Sequence, residues 1–325
     1  MIIRTAECVS PNHPDKLCDR IADGILDLYM KEDKDSRCAI EVCGGHSKVF
    51  ITGEVTSQGK VSDDEIKKLV KDLTNIDDVI IHIFQQSPNI AQGVDSGGAG
   101  DQGIMIGYAC RENEEKVPQE YYLARKLNKF IFKEYPFDGK TQVTMIGGKL
   151  RIIASFQNTP ATKLKEMVET FFLDYPQYII EEIHCNPAGD WEIGSFEADA
   201  GVTGRKLVVD NYGPRVPIGG GAFSGKDVTK VDRSAAYMAR RIALDYLDEY
   251  KAKEAKIELS YAIGCVQPIQ ATAILNYGRG WEKNIMEIVE YDLSPQGIID
   301  YLDLKNINFS ETAKWGHMGA NFNWG

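Results

Sequence analysis

The residues best suited to chemistry lie between positions 199 and 233, where glycines are interleaved with Arg205, Lys206, Lys226, Lys230 and Arg233. The chain as a whole carries 48 acidic against 37 basic side chains, a formal net charge of -11, so positive charge is concentrated here against the global balance. Such a pattern suits a polyphosphate. Glycine lets backbone N–H groups approach an anion closely, and Lys and Arg supply compensating charge and forked donors. Asp199, Asp227 and Asp232 recur among these cations and could carry a metal or a cationic group. A mobile surface loop with solvated lysines is the plainer alternative, and the acids placed between the basic residues argue against it. Residues 220–226 also fit G-x-x-x-x-G-K. However, Asp227 stands where a Walker A motif needs Ser or Thr, and Pro214 and Pro217 precede the glycines where that motif follows a buried strand.

A second set of candidates is spread over the first two thirds of the chain. Pro14 suits the first position of a helix whose apolar residues Leu17, Cys18, Ile21, Ala22, Ile25, Leu28 and Tyr29 follow helical spacing, with Asp19, Asp23 and Asp27 on the other face. His13, Asp15 and Lys16 then cluster at its positive end, where an anion or a metal–phosphate group is favoured and where simple capping is the other reading. Glu41 and Glu54 lie within strand-like segments 38–42 and 49–56, which the turn at 44–47 joins into a hairpin; solvated-face positions would explain both. The stretch 85–103 carries Gln92, Asp95, Asp101 and Gln102 among glycines without helical or strand period, which fits a loop closing over a ligand or a plain linker. Asp138 and Lys140 stand at the entrance of a hairpin formed by strands 141–146 and 150–156. The turn at 186–191 presents Trp191, as core or as a surface for stacking on a base.

The remaining pattern predicts strands at 2–8, 79–84, 104–110, 178–185, 257–263 and 270–277, and a strand-like run at 207–210. Helices are predicted at 62–73, 119–135, 162–172, 231–250, 285–291 and 294–302, followed by an irregular aromatic tail. Strands and helices are interspersed without regular alternation, which indicates α+β architecture, and no sequence repeat is visible. A length of 325 residues suits two or three compact units. The acidic balance argues against a nucleic-acid or membrane-surface binder, and no apolar run is long enough to span a bilayer. Seven scattered cysteines without a C-x-x-C pair indicate neither a disulfide framework nor a zinc site, which suits a reducing cytoplasm.

Taken together, H-P-D-K at 13–16, G-A-G-D-Q-G at 98–103, D-A-G-V-T-G-R-K at 199–206, G-G-G-A-F-S-G-K-D at 219–227, K-V-D-R-S-A-A-Y at 230–237 and S-Y-A-I-G at 260–264 make nearly the whole chain resemble the S-adenosylmethionine synthetases, or methionine adenosyltransferases. The resemblance implies three similar mixed α/β subdomains with pseudo-threefold symmetry, here 1–97, 98–196 and 197–325, in a cytoplasmic homodimer or dimer of dimers with active sites at the interface. It implies that methionine sulfur displaces triphosphate from C5′ of ATP, and that triphosphate is then hydrolysed to phosphate and diphosphate.

By position, the resemblance makes His13, Lys140, Arg205, Lys226 and Lys230 the catalytic contacts to the triphosphate. Asp138, Trp191, Asp199, Lys206 and Ala222 would complete ATP binding, with Trp191 against adenine. Glu54, Gln92, Asp199, Lys230 and Ile263 would hold methionine, Asp15 and Asp232 would bind Mg²⁺, twice over, and Glu41 would serve K⁺. The chain departs from the family at Asn12 in place of Gly, Gly139 in place of Ala and Ile218 in place of His, and between Asp95 and Gly98 it lacks several residues of the gating loop. Another ATP-dependent transferase or kinase, and a non-catalytic nucleotide-binding homologue, are the rival functions.

Overall fold

The computed structural model describes residues 3–86, 97–278, 284–319 and 322–325. The first third of the chain forms β1 (Ile3–Val9), α1 (Pro14–Glu32), β2 (Arg37–Gly45), β3 (Lys48–Thr56), α2 (Asp63–Thr74) and β4 (Asp78–Gln85). The middle third forms β5 (Gly103–Cys110), α3 (Gln119–Glu134), β6 (Gly139–Ile146), β7 (Lys149–Phe156), α4 (Ala161–Phe172) and β8 (Ile179–Cys185). The last third forms β9 (Gly201–Val202), α5 (Leu207–Asp210), α6 (Val231–Glu249), β10 (Glu254–Tyr261), β11 (Gln270–Asn276), β12 (Asn284–Glu287), α7 (Pro295–Leu302) and α8 (Phe309–Thr312).

Local signals account for most of these elements. Ser62 and Glu65 form a complete capping box at the start of α2, with each side chain bonded to the other's backbone N–H. His46 and Ser47, with φ of 48° and 64°, are both left-handed, as a two-residue turn matched to the twist of the β2–β3 hairpin requires.

The strands make three four-stranded sheets, β9-β2-β3-β4, β1-β6-β7-β8 and β5-β10-β11-β12. Each is built on an antiparallel hairpin, and each takes one strand from a different third of the chain: β1 joins the middle hairpin, β5 the last and β9 the first. Three similar mixed units with pseudo-threefold symmetry result, tied in a ring by exchanged strands. The third unit breaks the pattern. β4 and β8 run parallel to their neighbours with α2 and α4 as crossovers, whereas β12 is antiparallel to β11 and α7 follows it.

Two expected elements are of the other type. Residues 207–210, strand-like by their β-branched composition, form the single helical turn α5, with Asp210 N–H donating to Lys206 O at 2.8 Å. Their ends are tethered to α1 through Lys206 and Asp210, and a helical turn spans the short gap. Residues 285–291, whose spacing predicts a helix, contain β12 instead; Asn284–Glu287 pairs with the free edge of β11, and backbone pairing there overrides the local pattern.

The aromatic tail packs inward. Trp324 stacks on Tyr237 at 3.8 Å and its indole N–H donates to His317 O at 2.8 Å. The His317 ring shares a 2.6 Å hydrogen bond with the Tyr237 hydroxyl through Nδ1, and its buried Nε2 has no partner among the described residues. Burial, and then the charges of Arg233 and Lys16, push His317 well below 6.5, so it is neutral when folded. The unfolded chain takes up a proton at this residue near pH 6.5 and the folded chain does not. The contribution of His317 to stability is therefore expected to fall as pH drops below about 6.5, by up to about 1.4 kcal/mol per pH unit. Urea unfolding at several pH values between about 7.5 and 5.5 should show a pH dependence that differs between the wild type and His317→Gln by this contribution; parallel slopes would show that His317 does not contribute it.

Candidate active site

α1 is the spine of the site. Asp15, Asp19, Asp23 and Asp27 recur at every fourth residue and so lie along one face. Each accepts backbone N–H groups from a distant segment: Val202 on Asp15 at 3.0 Å, Gly204 on Asp19 at 2.8 Å, Gly225 on Asp23 at 2.9 Å, and Phe309 and Ser310 on Asp27 at 2.8 Å each. Asp19 and Asp23, expected on the polar face, are 1% and 0% exposed. The face meets glycine loops rather than water, and buried N–H donors there need acceptors. Lys16 pairs with Asp19 at 3.0 Å and also with Asp210, and Arg233 pairs with Asp23, so each of these buried carboxylates has a cationic partner. Gly201 shows how close the approach is, since a Cβ at this position would lie 2.2 Å from Pro14 O. These partners were missed in the sequence, although four aspartates at strict helical spacing were a visible signal.

One group of candidates gathers at the α1 N-terminus. His13 caps the helix, its Nδ1 accepting Asp15 N–H at 3.2 Å, which leaves the ring proton on outward Nε2. Burial, reinforced by the charge of Lys206, pushes His13 down to about 4, so it is a neutral donor. Burial opposes ionisation of Asp15, but the hydrogen bonds from Lys206 and from Val202 N–H hold it below the usual carboxylate range. Arg205 Nε lies 3.3 Å from Asp15 Oδ1 with its side chain more than half exposed. Lys140 opens outward from β6, 3.9 Å from Glu7. Asp138 accepts Ser195 N–H at 2.9 Å, and burial raises it to about 6. Asp199 is exposed, and its charge and that of Lys140 both reach His13. Trp191 is half-buried against Gly194, where a Cβ would lie 2.6 Å from its ring.

A second group forms around the 219–227 loop. Gly225 has φ of 81°, and a Cβ would meet Ile40 O at 2.0 Å, so only glycine lets the loop lie this close to β2. Lys226 bridges to Ala39, which pairs with Glu54 on β3. Residues opposite one another share a face, as do alternate residues, so Lys226, Glu54 and Glu41 lie on one face of the sheet. Glu41 is exposed, and partial desolvation by the loop beside it raises its carboxyl, against the charge of Lys226. Lys226 Nζ donates to Asp232 Oδ2 at 2.8 Å, and Gly221 N–H donates to Asp232 Oδ1 at 3.1 Å. Lys230 is buried and paired with Asp227, which also accepts Cys38 N–H at 2.7 Å. Ala222 lies against Gly204 and links the two glycine stretches.

Ile263 is exposed in the turn after β10. Next to it, Gly264 N–H donates to Ala99 O and Ala99 N–H to Cys265 O, both at 2.8 Å. The end of the glycine-rich 85–103 stretch is thus pinned rather than free. Gln92, Asp95 and the shortened part of that stretch lie outside the described residues.

Models of the S-adenosylmethionine synthetase N-terminal, central and C-terminal domains match residues 1–88, 96–189 and 193–325. The chain belongs to the S-adenosylmethionine synthetase family. The S-adenosylmethionine synthase of Salinibacter ruber is 39% identical over 364 residues, covering 98% of this chain and 94% of that protein. That of Zymomonas mobilis is 38% identical over 362 residues, covering 97% and 92%. A solved S-adenosylmethionine synthetase from Campylobacter jejuni, described as unusual, matches with a TM-score of 0.87 at 32% identity, covering 100% of this chain and 96% of that one. In this family member, among the described residues, no hydrogen bond or ion pair joins the His13 group to the Lys226 group, so the chain carries two sets of candidate residues. No described helix is long and apolar enough to cross a membrane.

Proposed function

We propose that the protein makes S-adenosylmethionine from ATP and L-methionine, the methionine sulfur attacking C5′ and displacing triphosphate, which is then hydrolysed to phosphate and diphosphate. The observation that most supports this reading is the seating of Lys206 on Asp15 and of Lys226 on Asp232, each beside a glycine stretch fixed by backbone hydrogen bonds. Fixed cations suit a reaction limited by its leaving group. A thioether nucleophile carries no proton, so the barrier depends on in-line alignment and on stabilising charge that develops on triphosphate.

Lys140 and Arg205 are exposed and turn toward solvent, available to phosphate oxygens. His13 offers a neutral Nε2–H donor to the departing oxygen, and Lys226 and Lys230 hold the remaining phosphate charge. Trp191, Asp138, Asp199, Lys206 and Ala222 place the adenosine and the phosphates, and Glu54, Lys230 and Ile263 place methionine.

The carboxylates fit a Mg²⁺ role. Among the described residues, no three His, Cys, Asp or Glu side chains cluster as a protein-only metal cage. Asp15 and Asp232 instead offer one carboxylate each beside a lysine, which suits an ion that takes one or two carboxylates and completes its shell with phosphate and water. Two such ions supply neutralisation of triphosphate charge when bound, and Glu41 is the candidate K⁺ ligand.

A second copy of the chain completes the site in this reading. Glu41, Glu54 and Lys226 share their sheet face with Phe50, Ile80 and Phe84, which are exposed by 40%, 38% and 66%. Covering that apolar face in a cytoplasmic homodimer or dimer of dimers would bring the His13 group of one copy to the Lys226 group of the other. Rapid-quench single turnover with labelled ATP tests the chemistry. Triphosphate should appear together with S-adenosylmethionine and then decay; ADP, or AMP with diphosphate, as the first product would overturn the mechanism.

A further inference from the structure

The turn between β1 and α1 carries an amide used at both ends. Asn12 Oδ1 accepts from Arg20 Nη1 at 3.1 Å, and Arg20 also donates to Pro11 O at 3.0 Å. Asn12 Nδ2 donates to Pro136 O at 2.8 Å. A guanidinium only donates and a carbonyl only accepts, so this amide has one chemically consistent orientation. Nearby, Ser10 N–H donates to Gly139 O at 2.8 Å and Ser10 Oγ to Phe137 O at 2.9 Å. The turn that carries His13 therefore grips the backbone on both sides of Asp138 and just before Lys140.

Packing alone does not do this work, although Gln157 N–H donates to Asp138 O and Ser195 N–H to its carboxylate, both at 2.9 Å. Asn12, Phe137, Asp138, Gln157 and Ser195 line an open cavity of about 360 Å³, so the 136–138 segment is held over unfilled space. The β1–β6 ladder ends at Val9 and Lys140, and beyond it Asn12 makes the outermost of these bonds. Glycine, which the family resemblance expects at this position, could make neither side-chain bond.

We propose that Asn12 is a positioning residue, holding Asp138 and Lys140 at a fixed separation from His13 and thereby setting the affinity for ATP. This rests on the reading of the His13 group as the ATP-binding half of the site. Asn12→Ala should weaken binding of a non-hydrolysable ATP analogue about tenfold, the scale of one lost hydrogen bond to a positioned group. Asn12→Asp should do worse, because it keeps the acceptor for Arg20 but turns a second oxygen toward Pro136 O. The KM for methionine and the thermal midpoint should stay at wild-type values in both variants, which a loss of general structure would not allow. In an Arg20→Met background the Asn12→Ala effect should shrink, since the amide has lost the group that orients it.

Calorimetry with the analogue on the intact enzyme, with steady-state constants alongside, gives the answer. Unchanged analogue affinity in both variants, or a joint loss of analogue affinity, methionine KM and thermal midpoint, would overturn the proposal. A wild type that binds the analogue but makes no S-adenosylmethionine would sink the assigned reaction and leave the positioning role standing on binding alone. A wild type that binds no analogue would sink both.

Discussion

Replacing Lys226 with Met is expected to lower the turnover of S-adenosylmethionine synthesis by about 10²–10³-fold, the scale seen when one preorganised donor to a developing oxyanion is removed. The side chain is held at Asp232 by a 2.8 Å bond, and its backbone is fixed by the bridge to Ala39 and by Gly225, which only glycine can satisfy. Met keeps the length and the apolar stem, so the loss falls on the charge. Lys226 is 19% exposed beside an Asp232 carboxylate that is only 4% exposed, so its removal should lower the thermal midpoint, with Gly221 N–H still bonded to that carboxylate and limiting the loss. The measurement is kcat at saturating ATP and methionine beside the thermal midpoint. Near wild-type turnover would remove Lys226 from the machinery, and a collapse of stability would make it structural.

The second large effect lies beneath the same loop. Arg233 and Asp23 are both fully buried and joined by two bonds, at 2.7 and 2.8 Å, and Arg233 also lies over the Phe309 ring at 4.3 Å. Asp23 accepts Gly225 N–H at 2.9 Å while Arg233 donates to Lys226 O at 2.8 Å, so the pair clamps the chain at Gly225 and Lys226. Asp23→Asn preserves the shape and an acceptor but leaves the guanidinium buried without its counter-charge, a change that costs about 3–5 kcal/mol. Turnover should fall as well, because the backbone that presents Lys226 loses its anchor. Adding Arg233→Met removes the orphaned charge and should recover part of the stability without recovering turnover. Urea unfolding midpoints and kcat for the single and double variants test this, and a loss below about 1 kcal/mol in Asp23→Asn would mean that water reaches the pair.

What could be read in the sequence was what local pattern encodes. Pro14 after His13 marked the start of α1, Ser62 with Glu65 marked that of α2, and paired strand patterns gave both early hairpins. The interleaving of the glycine stretches with cations was legible for the same reason, and the proposed phosphate contacts rest on it. Long-range choices were not. Nothing in β1, β5 or β9 states which hairpin each will join, and the exchange of strands that ties the three units together has no signature at the level of residues. Asp19 and Asp23 read as a solvated face because their partners, Gly204, Gly225 and Arg233, lie 185 to 210 positions away. His13 read as a generic anion contact, and its neutrality follows from burial and from Lys206, which arrives from another segment. The division of the candidates into a His13 group and a Lys226 group is likewise a property of packing rather than of order in the chain.

The measurement that bears most directly on the proposed activity is a product balance. Purified protein is incubated with ATP, Mg²⁺ and K⁺, with and without L-methionine, and S-adenosylmethionine, phosphate and diphosphate are quantified together. Equal amounts of all three, formed only when methionine is present and lost in Lys226→Met, are the expected result. Phosphate release that proceeds at the same rate without methionine, or methionine binding with no S-adenosylmethionine formed, would contradict it.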